Sequence, residues 1–291
     1  MHNQDILSRF IFDDTAVRGN HIQLSQTIQE ALQHHDYPTL LKTALSELMV
    51  ASALLAATLK MQGALVLQIQ GRGKLKLLVV ECTSQLEIRA TAKWTGEIVE
   101  DNFIELLTQG QFVITLDPKD GRQTYQGIVP IEGHSIAEIL QNYMQRSEQI
   151  ETRIWLTSAN NQAAGMLLQK LPEHLEIDAD AWNRICQLAE TTTNQELIAL
   201  DASELLHRLF HEENVRVFDP QPSQFKCSCT RKNVGNMLRM LGTEEIADIL
   251  AERESIEVHC DFCNQAYVFD AVDAAQLLAS ETTLDTPKQA H

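Results

Sequence analysis

Residues 225–270 read FKCSCTRKNVGNMLRMLGTEEIADILAERESIEVHCDFCNQAYVFD. Two cysteine pairs stand out, Cys227-Ser228-Cys229 and Cys260-Asp261-Phe262-Cys263, with thirty residues between Cys229 and Cys260. Two close pairs one supersecondary unit apart form a metal-site pattern. Zinc takes four tetrahedral ligands and binds thiolates at ~2.3 Å, so each pair supplies two sulfurs from one turn. The expected ligands of a single Zn2+ are Cys227, Cys229, Cys260 and Cys263. Between the pairs, residues 231–240 read as a helix stopped by Gly242, and residues 243–251 as a second helix. Residues 257–259 and 266–269 read as short strands around the second pair. His259 adjoins Cys260, but a strand neighbour points to the opposite face, so it is expected at the surface.

Four cysteines leave no open coordination position, which argues against hydrolytic zinc chemistry. A module this small often needs a staple, and zinc supplies ~10–16 kcal/mol of apparent binding energy. Loss of the metal is then expected to unfold it. Zinc-bound thiolates remain open to oxidants. A Cys-x-x-Cys pair closes readily into a disulfide, whereas Cys-x-Cys closes a tighter ring that is easier to reduce. A reversible sensor fits these features; a purely structural zinc knot fits the spacing as well.

Upstream, the character changes after Pro172. Residues 173–213 hold ten Asp or Glu against two Arg. They read as helical over 181–190 and 202–211, the latter opened by Asp201. Leu175, Ile177, Trp182, Ile185, Leu188, Leu197, Ile198, Leu205, Leu206, Leu209 and Phe210 need a surface to pack on. One apolar stripe with much like charge predicts a marginally docked segment. Pro220 and Pro222 mark a boundary before the cysteine module.

The first ~175 residues read as a mixed domain with hairpins, hence α+β rather than a parallel wound sheet. Residues 8–27 are expected to be extended, with Gly19-Asn20 as a turn. A helix over 28–34 follows. Pro38 opens a longer one whose apolar face is Leu41, Leu45, Leu48, Ser52, Leu55 and Leu59. Strands are expected at 65–69, 74–82, 86–92, 112–116, 124–129, 152–156 and 165–171. Asp117-Pro118-Lys119-Asp120-Gly121 signals a hairpin. Ser135 and Glu138 form a capping box for a helix reaching Arg146. The predicted division is 1–172 for the mixed domain, 173–222 for a helical linker and 223–291 for the zinc module.

Apolar residues make up 44% of the 291-residue chain and charged residues 22%, so a folded core is expected rather than disorder. The net charge of −17 lowers the expectation of nucleic acid or anionic membrane as partner. The first twenty residues contain three Asp and no long apolar run, so no secretory signal is expected. The longest uncharged candidate span, 48–59, falls short of the ~20 residues that cross a bilayer. A cytoplasmic setting is expected, where clustered cysteines mean metal or redox chemistry.

The run 225–270 closely resembles the zinc-binding domain of the redox-regulated 33-kDa heat-shock chaperone family. The resemblance extends to RFIFDDTAVRG at 9–19, YMQRSEQ at 143–149 and FHEENVRVF at 210–218, so it spans essentially the whole chain. It implies an ATP-independent holdase with no enzymatic activity. When reduced and zinc-bound such a protein is inactive and monomeric. Oxidation pairs Cys227 with Cys229 and Cys260 with Cys263, releases zinc, and unfolds the zinc domain and linker. The resemblance further implies dimerisation and capture of unfolding client proteins.

Elsewhere no catalytic or cofactor-binding residue is expected. Cys82 and Cys186 read as buried free thiols. His207 and His211 are four apart on a helix but lack the HExxH context, so an exposed face is expected. Gly71-Arg72-Gly73-Lys74 lacks the upstream glycine of a phosphate loop and has Leu75 in place of Ser or Thr. Ser135 lacks the final glycine of a nucleophile elbow. Two rival classes remain. A thiol–disulfide oxidoreductase would use Cys260 and Cys263, though without the strand-to-helix setting such motifs have. A zinc-ribbon binding module is the other, disfavoured for nucleic acid by the acidic charge.

Overall fold

A computed structural model describes residues 5–60, 62–99, 102–107, 110–172 and 180–279. The chain divides into two compact units, Met1–Lys226 and Cys227–His291.

The first unit opens with a hairpin of β1 (Ile6–Phe12) and β2 (Val17–Leu24), then α1 (Gln26–Leu32) and α2 (Thr39–Ala56). Strands β3 (Gly63–Gln70), β4 (Leu75–Thr83), β5 (Glu87–Trp94), β6 (Gln111–Pro118) and β7 (Tyr125–Pro130) follow. After α3 (Ile136–Tyr143) comes the hairpin β8 (Thr152–Ala159) and β9 (Gln162–Lys170). Helices α4 (Ala181–Ala189), α5 (Asn194–Ala199) and α6 (Ala202–Phe210) precede short strands β10 (Val215–Val217), β11 (Gln221–Pro222) and β12 (Gln224–Phe225). One sheet runs β10-β1-β2-β9-β8, with β11 also on β1, and the other runs β12-β5-β4-β3-β6-β7. Only the β12–β5 pairing is parallel among the described strands. The expected α+β class holds.

Helix α2 lies between the sheets, against β2, β8 and β9 on one side and β3, β4 and β5 on the other. Pro38 precedes its first turn, as expected. Leu41, Leu45, Leu48, Met49, Val50 and Leu54 are all fully buried, and a helix apolar on every side is a core helix. By length and composition alone it could cross a bilayer, but most of it is buried inside this fold.

The first sheet is apolar on both faces. Leu7, Ile22, Leu24 and Leu167 join the α2 core, while Phe10, Phe12, Met166 and Leu168 pack under α4, α5 and α6. The alternation is that of a strand covered on both sides. The layers are therefore α4–α6, first sheet, α2, second sheet. Buried Ile185, Leu197, Leu205, Leu206, Leu209 and Phe210 supply the underside of the helical layer, with Trp182, Leu188 and Ile198 partly buried beside them. Leu175 and Ile177 lie outside the described residues. Polar contacts add to the docking. Gln23 Nε2 donates to the carbonyls of Leu197, Ile198 and Leu200 at 3.2, 2.8 and 2.9 Å.

Several local expectations need correction. Gly19-Asn20 is not a turn but the middle of β2, pairing with Phe10 and Arg9. A Cβ on Gly19 would sit 2.2 Å from Cζ of Phe10, so this glycine makes room for a ring rather than for a bend. The helix over 28–34 begins earlier, at Gln26, and Asp5 rather than Ser25 caps it, accepting from Ser25 N at 2.6 Å. Leu59 lies beyond the end of α2 at Ala56. Only half of the Ser135 capping box forms. Its Oγ accepts from Glu138 N at 3.2 Å, but the Glu138 carboxylate accepts from His134 N. Helix α3 widens after Tyr143 into a π turn through Glu148, closed by left-handed Gln149 with φ 57°. After α6, β10 and β11 extend the first sheet and β12 extends the second, short strands that the sequence reading does not include.

The second unit contains α7 (Arg231–Arg239), α8 (Thr243–Glu252), β13 (Ser255–His259), β14 (Ala266–Asp270) and α9 (Ala271–Ala279). Strands β13 and β14 form an antiparallel hairpin. Helices α7 and α8 meet at Gly242, whose φ of 90° favours glycine. The core is thin: Val234, Leu238, Ile246, Ile256, Phe269 and Ala274 are its buried apolar residues among those described.

Candidate metal centre

Cys227 and Cys229 lie just before α7, whose first turn is capped by Thr230 accepting from Asn233 N at 3.1 Å. Asn233 Nδ2 reaches back to the Ser228 carbonyl at 3.3 Å and so holds the loop between the two cysteines. Cys260 and Cys263 occupy the turn between β13 and β14. Cys260 N donates to the Gln265 carbonyl at 3.0 Å, and Asn264 N donates to the Cys260 carbonyl at 2.8 Å. Asn264 takes a left-handed φ of 54°, which tightens this knuckle.

The two loops bring all four sulfurs within 4.8 Å of one another. Cys227 Sγ lies 3.6 Å from Cys260 Sγ, and Cys229 Sγ lies 3.4 Å from Cys263 Sγ. Tetrahedral bonds of ~2.3 Å would place sulfurs about 3.8 Å apart, so the cage has the size of a four-thiolate zinc site. Four thiolates this close repel strongly unless a cation lies among them. Tyr267 Oη donates to Cys229 Sγ at 3.2 Å. Burial acts to raise the Cys229 thiol, but hydrogen bonds from Tyr267 and the neighbouring cysteines outweigh it and hold the thiol below its ordinary range. Burial pushes Cys227 and Cys263 the other way. These residues could hold a metal ion; His259, exposed and in contact with Glu257 and the Asn264 carbonyl, stands outside the cluster.

Arg231 braces the site. Its Nη1 donates to the Val268 carbonyl at 2.7 Å, its Nη2 to Asp273 at 2.6 Å, and its guanidinium lies 4.3 Å from the Phe269 ring centre. Sequence reasoning named neither Tyr267 nor Arg231. A Tyr two residues into the strand after a Cys-x-x-Cys turn is the signal that could have marked Tyr267.

A profile described as "Hsp33 protein" matches residues 5–270. The chain belongs to the Hsp33 family. It is 60% identical over 286 residues to the 33 kDa chaperonin of Methylobacillus flagellatus, covering 98% of each chain. It is 50% identical to the 33 kDa chaperonin of Chromobacterium violaceum, covering 95% of each. The fold is that of a crystal structure described as the 33 kDa chaperonin (Heat shock protein 33 homolog) of Thermotoga maritima, with TM-score 0.83 at 22% identity, covering 97% and 99% of the two chains.

The other residues weighed from the sequence are not members of the four-cysteine cluster in this Hsp33 protein. Cys82 is buried in β4, and burial pushes its thiol up to about 12. Cys186 is buried in α4, and burial pushes its thiol up to about 11. Neither is poised as a thiolate. His207 on α6 and His211 just after it lie exposed with ring centres 6.2 Å apart, and no third ligand joins them among the described residues. Gly71-Arg72-Gly73 turns the chain between β3 and β4.

Proposed function

We propose that this chain is a redox-controlled, ATP-independent holding chaperone of the cytoplasm, with one Zn2+ held by Cys227, Cys229, Cys260 and Cys263. The observation that carries the reading is the four-sulfur cage in a unit with so small an apolar core. A fold with few buried side chains depends on its metal, so chemistry at the sulfurs becomes a conformational change. The names of the relatives support the chaperone class, and nothing in this reading requires catalysis.

Two molecules of hydrogen peroxide accept four electrons from the four thiolates and four protons from the solvent, and leave as four molecules of water. Two S–S bonds form and the zinc is released. The pairs are Cys227–Cys229 and Cys260–Cys263. The closest sulfur distances run across the two loops, but that proximity lasts only while the unit is folded. Once it loosens, neighbours separated by one or two residues remain close, whereas a cross-loop pair must close a loop of more than thirty residues.

The apolar face offered to clients is the outer side of the first sheet. Phe10, Phe12, Val17, Met166 and Leu168 lie there under α4–α6. Release of that acidic layer uncovers them, for binding unfolding proteins and for pairing with a second copy. In this reading residues 173–222 are the metastable linker and 223–291 the sensor, while the reduced protein is a monomer.

The test treats the reduced, zinc-loaded protein with peroxide at mild heat-shock temperature. It follows zinc with a chromogenic chelator and client aggregation by light scattering, without ATP. One equivalent of zinc released together with reductant-reversible suppression of aggregation supports the switch, and peptide mapping of the disulfides checks the pairing. Zinc release with no gain in client holding reduces the site to a structural knot.

A further inference from the structure

At the C-terminal end of α2 the first unit gathers three cations. Arg9 on β1 pairs with Asn20, and Arg18 on β2 pairs with Ile11, which sets the two arginines diagonally on one face of the sheet. It is the face that receives α2, since Leu7 and Ile22, in the same alternation, join the α2 core. Lys60, just past the helix, lines a cavity of about 320 Å³ together with both arginines, Asn20 and Phe218. A neighbouring cavity of about 510 Å³ is also lined by Arg9 and Lys60.

These charges meet no opposite charge within the fold among the described residues. Arg18 donates through Nε and Nη2 to Gln169 Oε1 at 3.1 and 2.7 Å, a neutral acceptor. No carboxylate pairs with Arg9, Arg18 or Lys60 among the described residues. Of the acids nearby, Asp120 lines the larger cavity beside Arg122 and accepts from it at 2.7 Å, and Glu148 lines a separate cavity with Arg18 and accepts from Tyr143 Oη at 2.7 Å.

Nor are the cations needed to cap α2. The carbonyls of Ala53, Leu54, Leu55 and Ala56 accept from Ala57 N, Asn20 Nδ2, Thr58 N and Leu59 N, all between 2.9 and 3.1 Å. Like charges set diagonally across a strand pair repel. In a chain with 40 acidic and 23 basic residues, three uncompensated cations around one cavity are best explained by an anion from outside.

We propose that this cavity binds a phosphate-bearing anion with at least two adjacent charged groups. The Arg9 guanidinium, the Nη1 side of Arg18 and the Lys60 ammonium suit phosphate oxygens, which accept paired N–H bonds from arginine. The site is one of binding, independent of the redox reading, and it involves no reaction.

Pyrophosphate is the probe, titrated calorimetrically into the reduced full-length protein at constant ionic strength. One saturable equivalent is expected. Arg9→Gln and Lys60→Gln change exposed side chains and are expected to fold normally; each should weaken binding about tenfold. Lys119→Gln, on an exposed loop outside the cluster, should leave it unchanged. Adenosine diphosphate forms a second arm. Tighter binding than pyrophosphate assigns the site to a nucleoside diphosphate, and equal or weaker binding assigns it to the bare anion. Absence of saturable pyrophosphate binding, or binding unaltered in both variants, overturns the proposal.

Discussion

Phe12 on β1 and Phe210 on α6 meet edge to face, with ring centres 5.1 Å apart and planes at 81°. Phe10 meets Phe12 in the same manner at 5.9 Å, so three rings fasten the helical layer to the sheet. Truncating a buried Phe to Ala costs ~3–5 kcal/mol. Phe210→Ala is therefore expected to loosen α4–α6 while every cysteine stays reduced. The variant should bind an apolar dye and slow aggregation of a heat-unfolded client without oxidant. If it does neither, the helical layer is not the cover that activation removes.

Gln23 fastens the same layer by a different force. Its amide serves the carbonyls of Leu197, Ile198 and Leu200 at the end of α5. Gln23→Ala leaves those acceptors without their donor, at a cost of ~1–3 kcal/mol. Amide exchange in α5 and α6 should quicken while that of β3 and β4 stays slow. Uniform quickening throughout the first unit would mean that the layer and the sheets open together.

Cys263→Ser removes one sulfur from the cage. The variant is expected to lose stoichiometric zinc, and the helical signals of α7 and α8 should broaden or collapse in an NMR spectrum. Signals from β2, β4 and β9 should persist, because their core does not include the second unit's residues. Retention of α7 and α8 in zinc-free protein would show that Val234, Leu238, Ile246 and Phe269 suffice without a metal.

A half-buried carboxyl and a buried imidazole oppose one another across mildly acid pH. Burial raises Glu47 on α2 to about 7 and lowers His21 on β2 to about 4. Between pH ~4.5 and 7 the folded protein keeps a proton on Glu47 that the unfolded chain releases, so this group makes stability fall as pH rises. Between pH ~4 and 6.5 the unfolded chain binds a proton on His21 that the folded protein refuses, so this group makes stability rise with pH. Each slope is about 1.4 kcal/mol per pH unit, and over pH ~4.5–6.5 they nearly cancel. Glu47→Gln should expose the His21 slope: denaturation midpoints fall on acidification, more steeply than in the parent protein. A variant with the parent's pH profile would show that Glu47 does not carry the raised affinity for protons.

The four-cysteine cluster was legible because its information is local: two cysteine pairs and the glycine between two helices define the module's plan before any packing is known. Helix α2 was legible for a similar reason, with Pro38 at its start and leucines at helical spacing. Tyr267 was not, since its approach to Cys229 depends on the β13–β14 register closing beside the other loop. Helix α5, six residues with Leu197 buried, carries too short a pattern to read alone. Gly19 misled because glycine permits a turn and also permits close approach, and only the position of Phe10 distinguishes them. Strands β10, β11 and β12 span two or three residues each, and their pairing partners lie far off in sequence.

Pairing with Val215–Val217 and Gln221–Pro222 turns β1 from a border into an interior strand. A bare border would present open N–H and C=O groups, which recruit strands from other chains. Residues 215–222 thus act as a sheath, and a thin one, fastened by two very short ladders rather than by a full-length strand. Peeling it away bares a second border, opposite that of β8, at which a strand from outside can pair. The stretch that leads toward the cysteines is, by its place along β1, what keeps that border closed.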